Sequence, residues 1–320
     1  MKLLSKIKKR FMGFSHKMKY FGFQVAFWNL LDSQRHRIKI FSGNIHQKYH
    51  NVIISWLAKN FKYFIANYKK DICSKPPSQG SIPKQIWICW WDGIGTMPPI
   101  VKACYNSVLR HANGFKITVI TKDNFRDYIS IPEHILEKTD TGIITLNALA
   151  NIIRLALLAK YGGLWLDATV LVTDAINLDN ALFFTIKGDF GGEDVPKRKW
   201  TTNLLGGLPK LFLFEFVRDF ICEYWKKNDE LIDYFLFDYS IALAYNSIPQ
   251  IKEIIDSARV TNKNYMILQD HLGDEFNPAF FDETIKNTVF HKLTWKENFH
   301  CTTPENKLTL YGHILEKYGK

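Results

Sequence analysis

Residues 147–172 read NALANIIRLALLAKYGGLWLDATVLV. Positions 147–160 are apolar nearly all round, which predicts a buried helix. One polar stripe interrupts it. Asn147, Asn151 and Arg154 stand at i, i+4 and i+7 and so share a face. Gly162-Gly163 ends the helix, because glycine takes the backbone angles a helix terminus needs. Leu164 to Val172 then predicts one continuous buried strand carrying a single charge, Asp167. A carboxylate inside a buried strand is destabilising unless something compensates it. Two compensators are open at this point. One is Arg154, in a structural core pair. The other is a divalent cation next to a nucleotide diphosphate.

Outward from this block, the chain divides by charge. Its 320 residues have a formal charge of +11. Residues 1–70 hold 15 Lys/Arg against one acid, Asp32, and the other 250 hold 27 Lys/Arg against 30 Asp/Glu. The basic excess therefore belongs to the N-terminal arm, which argues against a nucleic-acid-binding body. An apolar fraction of 47% suffices for a large core. The five cysteines are scattered, odd in number and form no CxxC, which argues against a zinc site and against a disulfide framework and fits a reducing cytosol.

In residues 1–19, Leu3, Leu4, Ile7, Phe11 and Phe14 recur at helical spacing opposite the lysines. The next apolar stretch, YFGFQVAFWNLL, is too short to span a bilayer, and no signal-peptide cleavage pattern follows. A basic amphipathic helix with Phe and Trp predicts contact with an anionic membrane surface through residues 1–31, or packing on the body. Residues 35–70 predict one or two further amphipathic helices. SKPPSQGSIP, 74–83, breaks the chain, so we expect an arm over 1–75 and a body over 76–320.

The body opens with a strand at Gln85–Trp91, a helix at Pro98–His111 and a strand at Phe115–Thr121, an order that predicts parallel pairing. Asn124 follows the second strand at the end where α/β sheets bind ligands; it is a ribose or base contact, or a helix N-cap. Phe183–Ile186 and Thr201–Leu208 predict strands. The loop 187–200 between them is rich in glycine and charge and can close over phosphates with Lys197, Arg198 and Lys199. Helices are expected at about 210–227 and 228–245. The second carries Asp238 on an aromatic face, where it can contact an acceptor hydroxyl or act as a general base. The tail, 300–320, predicts a basic polar helix.

The block NIIRLALLAKYGGLWLDATVLV resembles the capsular polysaccharide synthesis protein family, related to the mannosyltransferase-like and large-toxin glucosyltransferases of the GT-A fold. The resemblance runs from about Ile82 to Trp295. It implies an α/β fold, Rossmann-like, with a mostly parallel sheet flanked by helices. It further implies a retaining hexosyltransferase that takes a nucleotide sugar, such as a UDP-sugar, and a lipid-linked capsular oligosaccharide acceptor. Such an enzyme would work on the cytoplasmic, inner face of the bacterial plasma membrane. By the same resemblance Asp167 is the metal-side carboxylate of an Asp-x-Asp motif, with Thr169 and His291 completing a Mn²⁺ or Mg²⁺ site. Trp90 lies against the donor base. Asn151, Arg154, Thr294 and Trp295 contact the donor. The chain departs from the pattern at two positions, since Thr169 replaces the second Asp and Asn151 an upstream Asp. These departures support a second reading, a sugar-binding or assembly subunit without catalysis; a sugar-phosphate transferase is a third.

Overall fold

The computed structural model describes residues 2–35, 42–73, 79–178, 180–188 and 194–319, with the backbone alone for 2–10, 42, 43 and 73. Four arm helices come first: α1 (Lys2–Phe21), α2 (Phe23–Asp32), α3 (Ser42–Asn60) and α4 (Lys62–Cys73). The body begins β1 (Gln85–Cys89), α5 (Pro99–His111), β2 (Lys116–Ile120), with short helices α6 (Phe125–Tyr128) and α7 (Glu133–Asp140) leading to α8 (Leu146–Tyr161). Strands β3 (Gly163–Leu166), β4 (Val170–Val172), β5 (Phe183–Thr185) and β6 (Leu204–Gly207) follow. The rest is α9 (Phe212–Lys227), α10 (Leu236–Ser247), α11 (Pro249–Ser257), α12 (Ile267–Asp270), α13 (Pro278–Ile285), β7 (Phe290–Lys292) and α14 (Leu310–Tyr318).

The main sheet has the order β2-β1-β3-β6-β5. β1 pairs in parallel with β2 and β3, while β6 runs antiparallel to both β3 and β5. Four of the five strands therefore share one direction, which gives the expected mostly parallel sheet flanked by helices. Alternation along the strands sorts side chains to two faces. Ile86, Ile88, Leu164 and Leu166 enter one hydrophobic cluster, whereas Trp87 and Trp165 enter the cluster holding α8 and α9. The buried Trp87 indole donates to Gly162 O at 2.9 Å.

The Gly-Gly pair is dictated by backbone crowding. Gly162 and Gly163 have φ +65° and +95°, and a Cβ on Gly163 would sit 2.5 Å from Gln85 O. The tight junction lets β3 start directly beside β1.

The expected single strand over 164–172 is two strands. β3 stops at Leu166, the chain turns with Val170 N donating to Asp167 O at 2.9 Å, and β4 leaves to pair antiparallel with β7 in a second, two-stranded sheet. An apolar run fixes burial but not which sheet it joins, so the break was invisible in hydropathy. Residues 228–235 are likewise not helical, and α10 begins at Leu236. The expected polar tail helix is α14, which buries Leu310, Ile314 and Tyr318.

The arm helices form as predicted, with 36–41 and 74–78 outside the described residues. The division near 75 marks a change in composition, but in packing the two sides share one core. Phe21, Val25, Tyr49, Ile53, Leu57, Phe61, Ile65 and Ile72 belong to the same cluster as α8, α9 and α10. Phe61 packs on Phe220 and Tyr224, and Phe64 and Tyr68 on Phe216, at centroid distances of 5.0–6.1 Å.

Candidate active site

The turn between β3 and β4 opens onto a cavity of about 340 Å³. Its wall brings together the polar stripe of α8 (Asn147, Asn151, Arg154), the turn residues Asp167 and Thr169, Asp238 of α10, and Lys292 at the end of β7 with Thr294 and Trp295 beyond it. Four separate segments thus converge where the sheet ends.

Arg154 lies at the centre. The residue is 6% exposed, and its guanidinium is held between the rings of Trp165 and Phe237, 4.7 and 5.3 Å from their centroids. Nη2 donates to Asp167 Oδ1 at 2.8 Å and Nη1 to Thr202 O, while Nε is without a hydrogen-bond partner. Burial pulls Arg154 below the usual arginine value, and the Asp167 charge opposes that shift. Asp167 Oδ1 also accepts from Trp165 Nε1 at 2.9 Å. Its side chain stays 31% exposed at the cavity. Of the two compensators open for Asp167, Arg154 is the one in place: it meets one oxygen, and the rest of the carboxylate faces the cavity.

Asp238 stands on the other side, 9% exposed, accepting from Trp200 Nε1 at 2.9 Å. Burial raises its pKa to about 6, opposed by the Trp200 hydrogen bond and by Arg154. It is an acid whose charge changes just below neutrality, suited to exchanging protons.

Several expected site residues lie elsewhere. His291 is fully buried; its Nε2 lies 3.0 Å from Thr288 O, and burial lowers its pKa to about 4. It does not reach the cavity. Strand alternation hands that position to the next residue, Lys292, whose Nζ donates to Thr169 Oγ1 at 2.7 Å and Leu293 O at 2.8 Å. Burial lowers the pKa of Lys292, and Asp167 works against it. Asn124 spends both side-chain ends on backbone, accepting from Thr121 N and donating to Val119 O, so it neither lines the cavity nor caps α6 with its side chain. Trp90 does not line the cavity but packs edge-on against Trp295, which is 46% exposed at its rim. Lys197, Arg198 and Lys199 are not part of the wall; residues 189–193 of their loop lie outside the described residues.

The residues present do not fit a Mn²⁺ or Mg²⁺ ion. Such ions take several oxygen ligands. Of the three expected ligands, the Asp167 carboxylate is already bound to a guanidinium, the threonine oxygen receives an ammonium and the histidine is buried away. The wall's other carboxylate, Asp238, is held by Trp200. Arg154 and Lys292 already supply positive charge to Asp167 and Thr169, the two oxygens of the motif. Lys292 is the residue the sequence reading missed. Its signal was the period-2 alternation of FHKL, in which His291 and Lys292 must face opposite ways.

Solved structures to which the chain shows some likeness include the PaToxG glycosyltransferase (12% identity, 65% of this chain and 83% of that one, TM-score 0.36). The WbbM bifunctional glycosyltransferase matches at 12% identity over 76% of this chain and half of its own length, TM-score 0.38. The galactosyltransferase LgtC, solved with donor and acceptor sugar analogues, matches at 12% identity over 73% and 95%, TM-score 0.35. No curated protein matches the chain by sequence. The sequence profile of the capsular polysaccharide synthesis proteins matches residues 34–314, so arm helices α3 and α4 fall within it and the match extends well beyond the central block. With nearly the whole body and half of the arm inside that match, the chain belongs to the capsular polysaccharide synthesis protein family.

Proposed function

We propose that the protein is a glycosyltransferase that moves a sugar from a nucleotide-sugar donor, a UDP-sugar, to a lipid-linked polysaccharide acceptor. The observation that carries this reading is the cavity itself, where a buried guanidinium–carboxylate pair, a lysine and an exposed tryptophan converge at a sheet's end. In α/β folds ligands bind beyond the ends of the strands, where loops from several strands meet.

Each role follows from position. The exposed edge of Asp167 and the amides of Asn147 and Asn151 can hydrogen-bond donor-sugar hydroxyls. Arg154 holds Asp167 in place, a positioning role. The diphosphate gains charge as the glycosidic bond breaks, and Lys292 and Lys296 supply fixed positive charge for it. Trp295 offers an aromatic face for the base, with Trp90 supporting it from behind. Asp238 sits where an incoming hydroxyl can hand over its proton.

The arm fits an acceptor presented at a membrane. Phe11, Met12, Phe23 and Phe27 are exposed on α1 and α2, and no described helix is long and apolar enough to cross a bilayer. Lys17 and Tyr49 bind Ile232 O and Asp233, the turn whose next residues, Tyr234 and Phe235, form the cavity rim. An acceptor held at the arm's surface would thus reach the cavity over that rim.

The test is release of UDP from a panel of UDP-sugars without added Mg²⁺ or Mn²⁺, run on the wild-type chain and on Asp167→Asn. Turnover by the wild type that the variant loses supports the proposal. Binding of a donor without turnover in any acceptor extract favours a sugar-binding subunit, the reading that Thr169 bound to Lys292 supports. Release of UMP points to sugar-phosphate transfer.

A further inference from the structure

Beside α10, where His50 meets Tyr239, two histidines of the arm face a loop of the body. His46 and His50 are one helical turn apart on α3 and share a face. They are 5% and 4% exposed. Their rings meet edge to face, centroids 4.1 Å apart, with Nε2 pointing at Nε2 across 2.9 Å. The Asp194 carboxylate closes the third side, 3.6 Å from His46 Nε2, and ligand atoms of all three residues lie within 4.8 Å of one another. Each outer nitrogen has its own partner. His46 Nδ1 lies 2.7 Å from Asp32 Oδ1, and His50 Nδ1 lies 2.6 Å from Tyr239 Oη.

This is the layout of a metal site with its outer shell in place. A ligating imidazole usually gives its other N–H to a carboxylate or an oxygen, which fixes the tautomer and aims the lone pair at the ion. Two imidazole nitrogens bound at about 2.0–2.1 Å to one tetrahedral ion stand roughly 3.3 Å apart, so the pair needs to open by only a few tenths of an ångström. Arg35 also approaches, 2.9 Å from His46 Nδ1, but it is bound through 2.9 and 3.0 Å contacts to both oxygens of Asp32, which offsets its charge. An ion-free packing also satisfies these atoms: Tyr239 donates to His50 Nδ1 and His50 Nε2–H to His46 Nε2. The two arrangements differ in whether a cation is taken up.

We propose that His46, His50 and Asp194 bind a zinc-class transition-metal ion, with water in the fourth position, and that the ion ties the arm to the loop leading into the cavity. Imidazole ligands with one carboxylate select zinc or its neighbours over magnesium, which prefers an all-oxygen shell. The three ligands come from α3 and from a body loop distant in sequence. Six residues after Asp194, Trp200 holds Asp238 at the cavity wall. The ion is structural, and its effect on the site runs through the position of Asp238.

The test is metal uptake by the full chain after chelator treatment and dialysis, measured without donor sugar. Zn²⁺ titration is followed by calorimetry, and Co²⁺ by the visible absorption of a four-coordinate ion. The wild type is expected to bind one ion per chain, with a rise in Tm that Mg²⁺ does not reproduce. Asp194→Asn, at an exposed side chain, is expected to fold and to weaken binding at least ten-fold; His46→Gln and His50→Gln abolish it. Asp167→Asn binds as the wild type does, so uptake can fail while the glycosyltransferase reading stands, and the reverse. No uptake by the wild type, or equal uptake by wild type, Asp194→Asn and His46→Gln, overturns the site.

Discussion

At the scale of single residues, Asp238 and Lys292 carry the sharpest consequences. An ordinary aspartate titrates near 3.8, and burial places Asp238 at about 6. Its contribution to stability is therefore full below 3.8 and is lost as pH rises through about 6. Two units correspond to about 3 kcal/mol. Asp238→Asn keeps an oxygen for Trp200 and removes the titration. Denaturant unfolding at several pH values should show the variant gaining relative to the wild type between pH 4 and 6.5; parallel curves would mean that Asp238 does not titrate there. Wild-type turnover should fall below about pH 6, a limb absent from any residual activity of the variant. Lys292→Met keeps the length of the stem and deletes the charge beside Thr169. Loss of one electrostatic donor to a leaving group lowers kcat by about 10²–10³-fold. Donor hydrolysis at saturating substrate checks this, and a variant with unaltered kcat removes Lys292 from the mechanism.

At the scale of elements, the site depends on a helix, a glycine pair and a turn. The α8 stripe was legible because three polar residues on an otherwise apolar helix must share a face. The Gly-Gly junction was legible as a helix stop, but its second task, letting β3 approach β1, needs the neighbouring strand to be known. Gly163→Ala combines an unfavourable φ with a 2.5 Å clash on Gln85 O. We expect a loss of about 2–4 kcal/mol in urea unfolding, of the size of other backbone-strain and overpacking changes; a loss under 0.5 kcal/mol would mean the junction is loose. The turn at 167–169 was not legible. The Asp-x-Thr pair reaches the cavity because β3 ends there and β4 departs to another sheet, not because alternate strand residues share a face. The same local rule, applied at β7, separates Lys292 from His291 and redirects the site from a metal ligand to a fixed ammonium.

For the molecule as a whole, the arm is the main revision. Its sequence looks like a detachable basic appendage, yet its inner faces complete the core over α9 and α10. Phe61, 2% exposed against Phe220 and Tyr224, is the test position. Phe61→Ala should cost about 3–5 kcal/mol of stability for the whole chain in a single transition. Two separate transitions, with the body's unmoved, would restore an independent arm. The outer face is another matter, since Phe23 and Phe27 are stacked on each other and exposed. Phe23→Ser/Phe27→Ser should weaken sedimentation with anionic phosphatidylglycerol vesicles at least five-fold without lowering Tm. Equal sedimentation would move the membrane contact elsewhere.

The sequence by itself determined the layered α/β class, the buried helix with its polar stripe, the need of Asp167 for a compensating partner and the amphipathic arm. Each is written in local spacing, and burial along a helix or strand follows from periodicity over a few residues. Only the tertiary structure decided that the strand splits at Asp167, that Lys292 meets Thr169 and that Asp238 faces the same cavity. It alone brought His46 and His50 of the arm to Asp194 of a distant loop. Those are contacts between segments far apart in the chain, set by which sheet each strand joins and which faces the core covers, and no local pattern encodes them.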